Sequence, residues 1–374
     1  MPLFSFSKKN KESYSLVISI GSGSVTGAII KFTKKPGVDV LYSRREILPL
    51  MNEVSVSKRL TQLKNSLGLL LSSIQKEGLK KLPVTPNQGF IIKKVFYIFS
   101  SPWSTSQTKV ISVNENKAFK VTETYLTKLV EEEIKKDPAE AGKIIEKKII
   151  QLKINGYVVS KTTGQLAREL EVSLYKTVVP DEVISTVEGA VSKYFRVKEV
   201  WCHSLSLPVF SVIRDLFPHK DDFISIEVSD EMTDLCLVKD GIITSSASFP
   251  LGRNHFIKEL ANTMKVSPEI ADSMMKVNAS KVNDELAALK LSVAMNKSAE
   301  EWLKNISSII DHWKEKTYVP ETIFLISNND LVSFITLKLK SQDFKFFLID
   351  KKNIRSNDVV FKICLIFLDK LYKI

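Results

Sequence analysis

One order of elements occurs twice along this chain of 374 residues: three apolar strands, a helix, then a short and wholly apolar strand. In the first copy Leu16, Ile18 and Ile20 alternate with smaller residues, and Gly21-Ser22-Gly23-Ser24 turns the chain. Val25 to Phe32 resumes as a strand, Pro36-Gly37 turns it again, and Val38 to Leu48 supplies the third. Leu60, Leu63, Leu67, Leu70 and Ile74 recur at helical spacing, and residues 94–100 (KVFYIFS) make the short strand. The second copy opens with DFISIEVS at 222–229. Thr233 to Lys239 returns, Asp240-Gly241 is a strong two-residue hairpin turn, and Ile242 to Phe249 is the third strand. Gly252 opens a helix with Phe256, Leu260 and Met264, and TIFLIS at 322–327 is the short strand. A helix and a strand from Lys345 to Ile349 follow. This duplication predicts an α/β protein with two similar halves.

Two stretches interrupt the pattern. Residues 101–180 hold a charged helix (Glu123 to Lys136), two strands (Lys147 to Val159 and Glu169 to Val178) and a turn at Thr163-Gly164. They read as a small α+β insertion, after which a helix from Asp181 to Phe195 and a strand from Lys198 to His203 return to the first half. Residues 259–315 read as almost wholly helical. Their stripes (Ile270, Met274 and Val277, then Leu286, Leu289 and Val293) predict core packing.

Charge and composition exclude several classes. Lys+Arg is 54 against Asp+Glu 42, a net charge of +12, but only eight of the 54 are Arg and they are scattered. Sequence readers and phosphate clamps favour Arg forks, so specific nucleic-acid recognition is not expected. Cys202, Cys236 and Cys364, with His203, His219, His255 and His312, show no metal-ligand spacing. Adjacent strand residues face opposite ways, so Cys202-His203 is not expected to pair as nucleophile and base. No apolar run approaches ~18 residues. MPLFSFSKKNKES reads as a short tail rather than a signal peptide, and the apolar C-terminal segment as a buried closing helix.

The duplicated order resembles the actin-like ATPase superfamily, more narrowly its FtsA/PilM branch. SIGSGSVTGAII (19–30) is similar to the first phosphate loop, and residues 223–261 to the second with its following helix. INGYVVSKTTGQLARELEVSLYKTVVP (154–180) is similar to the insertion subdomain of that branch, through Asn155-Gly156-Tyr157 and Leu170-Glu171-Val172. The resemblance implies duplicated actin-like (ribonuclease H-like) domains, with an FtsA/PilM-type α+β insertion and a small helical subdomain. The expected division is a tail (1–13); a first half (14–100, 181–220 and 341–374); the insertion (101–180); a second half (221–258 and 316–340); and the helical subdomain (259–315).

The resemblance also implies a nucleotide cleft between the halves, with facing turns that bind phosphates through backbone N–H groups. Its residues here would be Ser19, Gly21, Ser22, Gly23, Ser24, Glu227, Ser229, Asp230, Thr233, Gly252, Ser327 and Asn328. Several depart from the family pattern. Ser19 stands for a metal-orienting Asp and cannot balance a hard cation's charge. Ser229, Asp230 and Glu231 replace three glycines and place carboxylates where phosphate oxygens belong. Ser327-Asn328-Asn329-Asp330 replaces a nucleoside-binding glycine cluster, and no glycine occurs in the 122 residues (374 − 252) after Gly252. Residues 201–213 offer no carboxylate or glutamine to orient an attacking water.

The expectation is therefore a non-catalytic actin-like scaffold with no cofactor. Its partners would be cytoplasmic segments of inner-membrane proteins of cell division or type IV pilus assembly. It would lie at the inner face of the cytoplasmic membrane, held there through those partners, with self-association open. The insertion and its junction with the first half are the expected binding surface, by strand addition or a groove. The alternative is an active, polymerising ATPase that binds ATP and Mg²⁺.

Overall fold

The computed structural model describes residues 14–34, 36–50, 55–82, 92–136, 142–159, 164–276, 285–327, 331–340, 345–349 and 358–372. Val277, Asn328, Asn329, Asp330, Thr163 and the tail lie outside them. Strands β1 (Tyr14–Ile20), β2 (Ser24–Phe32) and β3 (Val38–Ile47) form an antiparallel meander. Strands β4 (Ile92–Phe99) and β9 (Glu199–Ser204) add parallel to it, giving the order β3-β2-β1-β4-β9. The second sheet repeats this with β10 (Phe223–Val228), β11 (Thr233–Lys239), β12 (Ile242–Phe249), β13 (Thr322–Ser327) and β14 (Lys345–Ile349), in the order β12-β11-β10-β13-β14. The duplication read from hydrophobic patterning is thus a duplication of topology. The Asp240-Gly241 turn has positive φ at both residues, as a two-residue hairpin between right-twisted strands requires.

Helices cover the outer faces. On the first sheet lie α1 (Val56–Ser73) and α3 (Asp181–Ser192). The Ser55 hydroxyl caps α1 by accepting from Lys58 N at 3.3 Å. On the second sheet lie α5 (Arg253–Met264), α6 (Pro268–Lys276) and α7 (Glu285–Lys314), with Trp302 fully buried among them. Residues 277–284 lie outside the described residues; for the rest of 259–315 the helical reading fits these elements. The expected core stripe is overturned: Ile270, Leu286, Leu289 and Val293 are exposed and only Met274 packs partly against the core, because α7 turns a different face inward, with Leu291, Ala294 and Trp302.

Between the sheets lie α4 (Ser206–Leu216) and α9 (Val359–Tyr372), in a core that takes Val17 and Phe96 from one sheet and Phe223 and Phe324 from the other. One part of the expected division, residues 345–349 in the first half, is corrected. Strand β14 pairs in parallel with β13, from Thr322↔Lys345 to Ile326↔Ile349, so it belongs to the second sheet. Helix α9 follows β14 as α4 follows β9, and both fill the shared middle layer. Helix α8 (Val332–Lys340) connects β13 to β14.

The insertion holds α2 (Glu123–Lys135) and a four-stranded antiparallel sheet, β5-β8-β6-β7. Its strands are β5 (Thr105–Lys120), β6 (Lys143–Ile154), β7 (Tyr157–Val158) and β8 (Leu166–Val179). The sequence reading missed β5, whose 16 residues are largely polar and exposed and carry little alternation. The half of β8 nearest the body is buried throughout from Val172 to Val179.

Candidate functional site

The cleft is built where the β1–β2 turn meets the β10–β11 turn. Ser19, Gly21, Ser22, Ser24, Glu227, Ser229 and Asp230 line it, as does Arg45 from β3, in a volume of about 430 Å³. The two turns bond to each other rather than stand apart. Ser22 Oγ lies 2.9 Å from Ser229 Oγ and accepts from Glu231 N at 3.0 Å. Ser24 Oγ donates to Asp230 Oδ2 at 3.2 Å, and Arg45 Nη2 donates to the same oxygen at 3.1 Å.

Gly23 is covered by this contact: a Cβ built on it would lie 2.3 Å from the Asp230 Cβ. Neither Gly21 nor Gly23 has positive φ, so their need for glycine is close approach rather than backbone geometry. Gly252 does a similar job behind the second turn. A Cβ there would meet Ser229 O at 2.6 Å, and the first N–H groups of α5 bond that turn, Arg253 N to Ser229 O and Asn254 N to Asp230 O. A helix N-terminus that would favour an anion is therefore satisfied by backbone carbonyls.

The remaining expected residues are dispersed. Thr233 is wholly buried, donating to Leu251 O at 2.7 Å and accepting from Trp302 Nε1 at 2.9 Å. Ser327 is buried and donates to Val228 O at 3.0 Å. Both belong to the frame, not to the cleft surface. Asn328 lies outside the described residues.

Sequence reasoning missed three cations on the cleft wall, Arg45, Arg253 and Lys276. Each faces a carboxylate: Arg45 the 3.1 Å contact to Asp230, Arg253 Asp272 at 2.5 Å, and Lys276 Asp272 at 2.6 Å. No local motif marks these pairs. Val360 and Phe361, at the start of α9, complete the wall. A triphosphate entering between the turns would meet the Asp230 carboxylate at Gly23 and cations already paired with carboxylates.

A carboxyl pair lies beneath the second turn. Glu227 and Asp234 are cross-strand partners on β10 and β11. Burial pushes Glu227 well above the usual carboxylate range, and the Asp234 and Asp230 charges push it further. Burial likewise raises Asp234 to about 6, although Ser101 Oγ donates to its Oδ1 at 2.5 Å.

A second buried carboxylate, Glu146 of β6, joins the insertion to the first half. It accepts from Ser204 N at 2.9 Å and Ser204 Oγ at 2.7 Å, and lies 2.7 Å from His203 Nδ1. Burial raises its pKa, but His203, Lys148 and Ser204 outweigh that and the net shift is downward. His203 Nε2 lies 3.0 Å from the Tyr372 hydroxyl on α9. Cys202 packs on the opposite face with the first sheet's outer core, as strand alternation requires.

Two sheets of identical strand order, a middle layer of paired helices and facing hairpin turns define the actin-like ATPase fold. Among solved structures, a chain of the PilM–PilN type IV pilus biogenesis complex matches over 96% of this chain and 99% of that one, with a TM-score of 0.65 and 11% identity. MreB5 of Spiroplasma citri bound to AMPPNP matches over 97% and 98%, at TM-score 0.48 and 9% identity. The ethanolamine utilization protein EutJ from Carboxydothermus hydrogenoformans matches over 95% and 91%, also at 0.48 and 9%. No protein-family model matches the sequence, and no curated protein matches it. Among the described residues, no helix is long and apolar enough to cross a membrane.

Proposed function

We propose that the chain is a non-catalytic actin-like scaffold of the FtsA/PilM type. It binds cytoplasmic segments of inner-membrane proteins of cell division or type IV pilus assembly. The observation that carries this reading is Asp230, which stands on Gly23 and takes Ser24 and Arg45 as partners, the place and partners a phosphate would need. Likeness to a chain of the PilM–PilN complex supports the pilus side of the reading. The insertion supports a docking role: β5 is an edge strand of its sheet, and Val110, Tyr157, Val158 and Leu166 are exposed on that subdomain.

One observation favours the ATPase alternative. A cleft of about 430 Å³ with three cations on its wall remains between the halves. Calorimetry with ATP–Mg²⁺ separates the two. The scaffold reading expects no saturable heat and no phosphate release. A variant with Ser19→Asp, Ser229→Gly, Asp230→Gly and Glu231→Gly should gain affinity. Tight binding with turnover by the unmodified chain sinks the scaffold reading. Docking is checked by titrating synthetic cytoplasmic segments of inner-membrane pilus and division proteins against the full chain; no segment binding would refute it.

A further inference from the structure

A second cavity, of about 220 Å³, lies where the start of the insertion meets both sheets; it shares only Ser100, Leu205 and Glu227 with the cleft. Eight serines, one threonine and Cys236 line it together with Glu227 and Asp234, and among the described residues no Lys, Arg or His does. Hydroxyls reach it from three units: Ser101 from the insertion, Ser206 from α4, and Ser225 and Ser246 from the second sheet. Glu227 is only 5% exposed, and its Oε2 has no hydrogen-bond partner among the described residues. Buried acceptors are normally satisfied, and an unpaired carboxylate oxygen marks where a donor belongs. Asp234 stands directly across the ladder and shares a side-chain hydrogen bond with Glu227, which leaves Oε2 without a partner, and among the described residues no cationic side chain lines the cavity.

We propose that this cavity binds a small hydroxylated primary amine, its ammonium held between Glu227 and Asp234. An ammonium carries three donors, enough for Glu227 Oε2, Asp234 and one serine oxygen. Its positive charge supplies what the carboxyl pair lacks, and a lining without cations disfavours anions. Hydroxyls on the ligand match the serine ring. A 150 Å³ cavity accommodates benzene, so this one holds a molecule of about nine heavy atoms. A metal ion suits it less well: among the described residues no three His, Cys, Asp or Glu side chains converge. The raised carboxyl pair agrees with a site short of positive charge.

The test uses the full chain in an amine-free buffer at neutral pH. The probe is tris(hydroxymethyl)aminomethane, and its neutral isostere 1,1,1-tris(hydroxymethyl)ethane, with a methyl in place of the ammonium, is the control. Calorimetry should show the amine binding at least about tenfold more tightly than the isostere. Glu227→Gln and Asp234→Asn should each weaken the amine by about tenfold or more while leaving the isostere unchanged. Equal affinity for both probes, no binding of the amine, or binding of magnesium chloride in its place overturns the proposal. If a variant fails to fold, the comparison of the two probes on the unmodified chain decides alone. The proposal is independent of the scaffold reading.

Discussion

The contact of Asp230 with Gly23 can be measured as a coupling energy. A Cβ added at Gly23 would lie 2.3 Å from the Asp230 Cβ and 3.1 Å from its Cγ. Carbon atoms prefer roughly 3.5–4.0 Å, so the overlap exceeds about 1 Å. Asp230 is not free to retreat, because its carbonyl accepts from Asn254 N at 2.7 Å and its carboxylate is held by Ser24 and Arg45. Gly23→Ala should therefore cost about 1–3 kcal/mol, the range for overpacking. In an Asp230→Gly background the obstacle is gone. Gly23 does not use positive φ, so alanine there should stabilise by about 0.4–1 kcal/mol through the unfolded chain. The sign of the substitution reverses between backgrounds, and the cycle should give a coupling of at least about 1.5 kcal/mol. Asp230→Gly alone should cost little, because its ion pair with Arg45 is partly solvated and worth about 1 kcal/mol or less. Urea midpoints of the four proteins at a shared slope measure the cycle. A coupling below about 0.5 kcal/mol would refute the contact between the two turns.

Other substitutions test other parts of the frame. Glu227 and Asp234 keep protons when folded that the unfolded chain has lost, so stability should fall as pH rises from about 4 through 6 and beyond. Glu227→Gln should flatten that fall in thermal melts at a series of pH values; an unchanged slope would count against the pair. Glu146→Ala should cost about 3–5 kcal/mol, because it strands buried donors at Ser204 and His203. A loss under about 1 kcal/mol would show the joint to be unimportant. Gly252→Ala should destabilise because its Cβ would meet backbone atoms at 2.6–2.7 Å, whereas Gly68→Ala, on open helix surface, should stabilise by about 0.5–1 kcal/mol. Denaturation midpoints that move the same way would refute that contrast.

Patterning made the paired sheets legible because each copy opens with alternating strands and closes on a short apolar one. The Asp240-Gly241 turn was equally plain, since its residue types are those positive φ selects. Strand β5 escaped because a mostly exposed strand has no buried face to print in the sequence. The partner of β14 escaped because KFFLI is apolar whichever sheet it joins. At the cleft, loss of glycines and gain of acids were visible in sequence. Closure was not: Ser22 and Ser229 are 207 positions apart, and Arg45 and Asp230 are 185 apart. Neither distance leaves a local signature, nor does the pairing of Arg253 and Lys276 with Asp272.

Strand β8 has a mechanical consequence. Ala167, Leu170 and Val172 sit in the insertion's own core, Tyr175 in the layer between the sheets, and Val179 in the outer core of the first sheet. One uninterrupted strand of 14 residues, about 45 Å long at normal rise, thus runs through three packed regions with no loop along it. To swing the insertion relative to the first half, the chain would have to bend that strand and shear Tyr175 from Ser204. A load applied at the insertion's far end reaches the body as it would through a beam cast into its wall, not through a hinge.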